Sequence, residues 1–164
     1  GYDMAIRIGR LPESSLIARK LAPVRLVVCA APRYLRERGP PTSPRDLVSH
    51  ECLGYAYYSE QNRWRFKAED GEQHEVQIKG RFSANNGDAL RQAAIAGTGL
   101  VLQPTFIVGN DIQVNALQTV LDAYEVEQLG VYAVYPHRQY LSGKVRTFVD
   151  FLADYFGSPP YWDE

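Results

Sequence analysis

Apolar and polar side chains alternate from the first residues: Tyr2, Met4, Ile6 and Ile8 share one face of a strand, and Asp3, Ala5 and Arg7 share the other. A second strand is predicted over residues 16–21. A third, over 24–31, carries Leu26, Val27, Val28 and Cys29 in succession, the pattern of a strand buried on both faces. Pro32 suits the first position of a short helix over 33–38, which Gly39 ends in the left-handed conformation. Ser43-Pro44-Arg45-Asp46 follows as a capped helix start, good for a single turn through Leu47.

From residue 51 to 84 the pattern changes to short strands over 52–58, 63–67 and 76–82, with Asp70-Gly71 as a turn, and a small antiparallel meander is expected. Asn85-Asn86-Gly87-Asp88 then starts a helix with cap-competent amides and an acidic first turn. Leu90, Ala93, Ala94 and Gly97 fall along one face of it, and Gly97 or Gly99 ends it. Leu100-Val101-Leu102 reads as a buried strand closed by Gln103-Pro104, and Pro104 or Thr105 opens another short helical turn. Residues 109–128 carry no legible period. A strand over 130–136 precedes a helix capped by Ser142, with Val145, Phe148, Val149, Leu152, Tyr155 and Phe156 at helical spacing until Gly157-Ser158-Pro159-Pro160 stops it. Strands and helices alternate at both ends around a strand-rich middle, which predicts two α/β lobes joined by crossings near Ala31 and Tyr135-Pro136.

Composition changes this picture little. With 164 residues, 45% apolar and 23% charged, the chain has a globular balance and length enough for its own core. A net charge of −1 gives this segment no overall attraction to nucleic acid, although the first 46 residues carry nine basic against four acidic side chains. Cys29 and Cys52 sit in apolar strands outside any metal-spaced set and are expected to be buried free thiols. No leader is evident and no apolar run approaches the roughly 18 residues of a membrane span, so a cytoplasmic setting is expected.

His50, His74 and His137 are too widely spaced to chelate one ion, no nucleophile elbow is present, and neither Gly97-Thr98-Gly99 nor Gly80-Arg81 has the form of a phosphate loop. No catalytic set can be assembled, so no enzyme is expected. What remains is binding: the helix start at Asn85-Asn86-Gly87 offers free N–H groups and amides that suit a carboxylate. The same residues also read as a capped helix that needs no ligand. Arg7, beside Gly9, stands equally as an anion clamp or as the partner of a neighbouring acid.

Tyr2-Asp3-Met4-Ala5-Ile6-Arg7-Ile8-Gly9, Leu21-Ala22-Pro23-Val24-Arg25, Cys29-Ala30-Ala31-Pro32-Arg33-Tyr34-Leu35 and Pro44-Arg45-Asp46-Leu47-Val48-Ser49-His50-Glu51-Cys52-Leu53 resemble the effector-binding region of LysR-type transcriptional regulators. Asn85-Asn86-Gly87-Asp88-Ala89-Leu90, Ala96-Gly97-Thr98-Gly99-Leu100 with Gln103-Pro104, and Val134-Tyr135-Pro136-His137-Arg138 continue in that family's order, as does the segment from Lys144 to Leu152. The resemblance implies an α/β fold of two Rossmann-like lobes of the type 2 periplasmic-binding-protein kind. Residues 1–30 and 131–158 would form lobe I, truncated at its N-terminal side, residues 31–130 lobe II and 159–164 a tail.

The resemblance further implies a sensor that closes on a small, carboxylate-bearing effector between its lobes and needs no cofactor. Effector contacts would come from Arg7 and Ile8, Asn85 and Asn86, Gln103, Pro104 and Thr105, and His137. In the intact protein a homo-oligomer, dimer or tetramer, would reach DNA only through a winged helix-turn-helix absent from this chain, with no membrane partner. A solute-binding protein of the same fold, delivering ligand to a transporter, is the alternative. A truncated lobe I would expose apolar surface around residues 4–8, so self-association is also expected.

Overall fold

The computed structural model describes residues 3–9, 17–56, 62–135 and 142–163. Expectations placed on Tyr2, on residue 16, on residues 57–58, and on Pro136 and His137 lie outside them. In chain order the elements are β1 (Ala5–Gly9), β2 (Ile17–Val24), β3 (Leu26–Ala30), α1 (Pro32–Arg38), a 3-10 segment (Pro44–Ser49), β4 (Cys52–Tyr55), β5 (Arg63–Lys67) and β6 (Gln73–Gln77). There follow β7 (Ser83–Ala84), α2 (Gly87–Ile95), β8 (Leu100–Pro104), α3 (Thr105–Gln113), β9 (Gln118–Val120), β10 (Glu125–Val126), β11 (Leu129–Tyr135), α4 (Gly143–Phe156) and a final 3-10 turn, Tyr161–Asp163. They form two compact units, one from Gly1–Arg25 with Gln128–Glu164 and the other from Leu26–Glu127.

The first unit is a three-stranded antiparallel sheet, β1-β11-β2. β11 lies in the middle because it is apolar almost throughout, and Gly130 to Tyr135 are all buried. β2 is continuous through Pro23, where the sequence predicts an end at residue 21. As an edge strand it has a side that needs no donor, so a proline costs no ladder bond there. α4 packs on β2 through Val145 and Val149, with the Ser142 hydroxyl accepting the Val145 N–H and Arg19 of β2 paired with Asp150. Of the segment expected as a tail, residues 160–163 are folded in: Pro160 is buried, the Trp162 ring sits 5.4 Å from that of Phe156, and Asp163 meets Arg25 at 3.4 Å.

The strand β1 has β11 on one side and no strand on the other among the described residues, and Ile6 and Ile8 are 44% and 53% exposed. Phe148, Phe151 and Tyr155 add an exposed apolar stripe on α4. An open edge beside exposed apolar side chains favours association. The 164-residue chain is therefore expected to sediment as concentration-dependent oligomers, and Ile8→Lys with Phe151→Lys to shift it toward monomer. A wild-type chain that stays monomeric at high concentration would refute this.

In the second unit the sheet runs β7-β4-β8-β3-β9, with β4 parallel to β7 and β8, and β3 antiparallel to β8 and β9. Successive strand residues point to opposite faces, so apolar runs feed two cores. Val28, Cys52 and Leu100 join Leu47, Trp64, Phe66 and Val76 on one face; Cys29, Leu53 and Val101 join Leu90, Ala94, Val108 and Leu117 on the other. The two cysteines thus sit in different cores as free thiols, each pushed up to about 12 by burial. The strand β3, grouped with lobe I in the sequence reading, hydrogen-bonds within this sheet.

The expected meander is corrected. The apolar β4 is a strand of the large sheet, and β5 and β6 pair instead with β10, drawn from the stretch that shows no period. The physical signal is one-faced burial: Trp64 and Phe66 point inward while Arg63, Arg65 and Lys67 alternate outward against Glu75 and Glu125. The strand expected over 76–82 is Gln73–Gln77. The turn expected at Thr105 is the nine-residue α3, and α2 ends at Ile95 with Ala96 as its C-cap, Gly97 following at φ +74°.

Beside this core the Tyr34 hydroxyl accepts the Glu51 N–H and shares a hydrogen bond with His50 Nδ1, each at 3.0 Å. Desolvation by burial lowers the His50 pKa below its ordinary 6.5, with Arg38 acting the same way and Asp46 opposing. The unfolded chain then binds more protons than the folded one below pH 6.5, so this contribution is present above 6.5 and is lost as pH falls through the depressed folded value. Urea midpoints are expected to fall between pH 7.5 and 5.5, and His50→Gln to flatten that dependence; an equal slope in the variant would exclude His50 as its source.

Candidate functional site

The strands β4 and β8 are parallel neighbours, and their carboxyl ends carry Tyr55 and Gln103-Pro104. In open α/β sheets ligands bind at such ends. The helix α2 starts at the same end because Asn86 is extended, at φ −130°, and its Oδ1 accepts the N–H groups of Asp88 at 2.7 Å and Ala89 at 3.3 Å. The capping reading of Asn86 is thus realised, which leaves its amide N–H₂ end for any further contact. Asn85 precedes it, exposed.

Between these elements lies Gly87. A β-carbon there would stand 2.9 Å from Ile107 Cδ1, 3.0 Å from the Tyr55 hydroxyl and 3.3 Å from Gln103 Oε1, so the first turn of α2 approaches the strand ends closely enough that an added methyl would push on these side-chain ends. Gln103 is fully buried. Its Oε1 accepts the Tyr55 hydroxyl at 3.1 Å, while its Nε2 has no hydrogen-bond partner among the described residues. Buried amide donors are nearly always paired, so an unpaired one beside a helix N-terminus is the chemical signature of this site. Burial, against the hydrogen bond to Gln103, raises the Tyr55 pKa and keeps the hydroxyl a donor. Asp88, exposed in the first turn, raises it further and competes with any anion for the helix dipole.

The helix α2 is tied to α3 by Arg91, which grips the buried Asp111 of α3 through Nε to Oδ2 and through Nη2 to Oδ1, the latter at 2.6 Å. These bonds to Asp111 raise the Arg91 pKa. At the far end of the helix, Arg33 donates to the Ala96 carbonyl. No group of three His, Cys, Asp or Glu able to hold a metal occurs among the described residues.

Of the residues singled out in the sequence, Asn86, Gln103, Pro104 and Thr105 come together here. Pro104 caps α3 and the buried Thr105 begins it. Arg7 and Ile8 lie exposed on β1 of the other unit, and His137 lies outside the described residues. Sequence reasoning missed Tyr55 and the cradle role of Gly87. No signal in the sequence separates Tyr55 from Tyr57 and Tyr58, which follow it in the strand predicted over 52–58.

A mixed sheet with two parallel and two antiparallel pairings and helices starting at the carboxyl ends of its parallel strands, joined to a second α/β unit by two chain crossings, fits the type 2 periplasmic-binding-like class of ligand domain that related regulatory domains define. A family profile described as the LysR substrate binding domain matches residues 1–157, and the chain belongs to that family, the regulatory domains of LysR-type transcriptional regulators. It is 34% identical over 159 residues to the HTH-type transcriptional regulator PtxR of Pseudomonas aeruginosa, covering 97% of this chain and 51% of that protein. It is 36% identical over 156 residues to the HTH-type transcriptional activator AaeR of Escherichia coli, covering 95% and 50%. The chain spans about half the length of these curated relatives.

Among solved structures, full-length AphB, a virulence activator of Vibrio cholerae, superposes with TM-score 0.81 at 30% identity over 94% of this chain and 52% of that one. The regulatory domain of CrgA from Neisseria meningitidis superposes with TM-score 0.79 at 33% identity over 94% and 76%. These relatives are named as transcriptional regulators, not as enzymes. No helix among the described residues is long and apolar enough to cross a membrane.

Proposed function

We propose that the chain is the sensing part of a cytoplasmic, DNA-binding regulator and that it binds a small, carboxylate-bearing effector at the start of α2. The observation that carries this reading is the buried, unpaired Gln103 Nε2 beside the first turn of α2. A carboxylate oxygen would satisfy that donor while a second oxygen meets the helix N-terminus. Asn85, Asn86, Pro104 and Thr105 would border the ligand, and the family resemblance adds Arg7, Ile8 and His137 to the proposed set.

Effector binding would act by population shift, favouring one arrangement of a homo-oligomer and so the spacing of DNA readers carried elsewhere in the protein. The test is calorimetric titration of the 164-residue chain with a panel of aromatic and aliphatic carboxylates beside their neutral amides. Saturable binding of an acid, weakened at least about tenfold by Asn86→Ala, is expected. Binding of no acid in the panel, or binding indifferent to Asn86, would overturn this placement. In the full-length regulator, an effector response untouched by Arg7→Ala would remove Arg7 from the set.

A further inference from the structure

Whichever ligand is bound, a glutamine amide can face it with either end, and the two ends recognise opposite chemistry: Nε2 donates and Oε1 accepts. Here one end is already committed. The Tyr55 hydroxyl stands 3.1 Å from Gln103 Oε1, and the Gly87 backbone passes so close that a single methyl would reach both groups.

We propose that Tyr55 is the positioning residue of this site: with its proton directed at Gln103 Oε1 it biases the amide toward the orientation that leaves Nε2 free, so that the site favours ligands presenting an oxygen acceptor over cationic donors of the same shape. This rests on the ligand-binding reading above and adds to it the residue that sets its selectivity. Phenylalanine at 55 would keep the ring but release the amide, which could then rotate and present Oε1 as readily as Nε2. Selectivity is a difference between two affinities, so a residue that acts by orienting a donor moves their ratio, whereas one that merely supports the fold weakens both affinities alike.

The experiment titrates the 164-residue chain and its variants with benzoate and benzamidine, planar probes of matched size that differ in accepting or donating. The wild-type chain is expected to prefer benzoate, Tyr55→Phe to lower the benzoate-to-benzamidine ratio by about tenfold, and Gln103→Glu, which offers acceptors only, to invert it. Gly87→Ala, whose methyl crowds the Tyr55 hydroxyl, should shift the ratio in the same direction as Tyr55→Phe and reports on the same bond should the phenylalanine variant fold poorly. An unchanged ratio in either variant, with benzoate binding retained and lost in Gln103→Leu, would overturn the role of Tyr55 and leave the site standing. Wild-type binding of neither probe, or benzoate binding unaffected by Gln103→Leu, would overturn both.

Discussion

Replacing Arg91 with alanine is expected to destabilise the chain by about 3 kcal/mol, a fall of roughly 1 to 2 M in the urea midpoint. The cost comes from what is left behind. Asp111 is 4% exposed, and its carboxylate is gripped at both oxygens by the guanidinium; without Arg91 it is left with no partner for either oxygen in a place water scarcely reaches. Arg91 itself is partly exposed, which holds the expected cost at the lower end of the buried-pair range of about 3 to 5 kcal/mol. Removing both charges with Arg91→Met and Asp111→Leu should restore most of the loss, because a well-packed apolar pair has no desolvation cost to offset. The pair bridges α2 and α3, so the single variant should also loosen α2 and weaken any ligand held at its start. A midpoint change in Arg91→Ala below about 0.3 M would mean that the pair behaves as a surface ion pair and does not anchor the helix.

This pair also marks where the sequence stopped being legible. Neither residue belongs to a local motif: Arg91 reads as a polar position of an amphipathic helix, and Asp111 falls at the start of the stretch without a period. Their meeting is a tertiary event across 20 residues of chain. Signals contained within a few residues were readable, among them the Asn86 and Ser142 caps, the doubly buried β3, the short helix after Ala31 and the stop after α4. The assignment of β4 was not. Its short apolar run is compatible with either a meander or a buried parallel strand, and the choice depends on where residues 79–84 and β8 lie, which no local pattern encodes. The candidate site divides in the same way. Asn86 could be singled out by type and position and Gln103 only through the family resemblance, while the dependence of the Gln103 amide on Tyr55 required knowing that two strands 48 residues apart end side by side.

The same dependence on tertiary placement makes Gly80→Ala the other substitution with a large expected effect. A β-carbon at Gly80 would stand 2.0 Å from the Cys52 carbonyl oxygen and 2.9 Å from its carbon, and both neighbours are backbone atoms of a central strand that cannot swing aside. Relief requires residues 79–84 to move off the edge of β4. There the Cys52, Gly54 and Ala56 N–H groups donate to the carbonyls of Lys79, Phe82 and Ala84 at 3.0, 3.3 and 2.9 Å. Lengthening those bonds while β4 stays buried should cost on the order of 3 kcal/mol, with faster amide exchange confined at first to Cys52, Gly54 and Ala56. Gly143→Ala is the matched control: no atom lies within 4 Å of the added methyl, and the change should be neutral or slightly stabilising. If Gly80→Ala unfolds at the wild-type urea midpoint, close packing of this segment against β4 is wrong. The consequence for function follows from chain order, because Ala84 leads directly into Asn85, Asn86 and Gly87. A displaced edge carries the first turn of α2 with it, so benzoate affinity should fall in Gly80→Ala even under conditions where the chain remains folded.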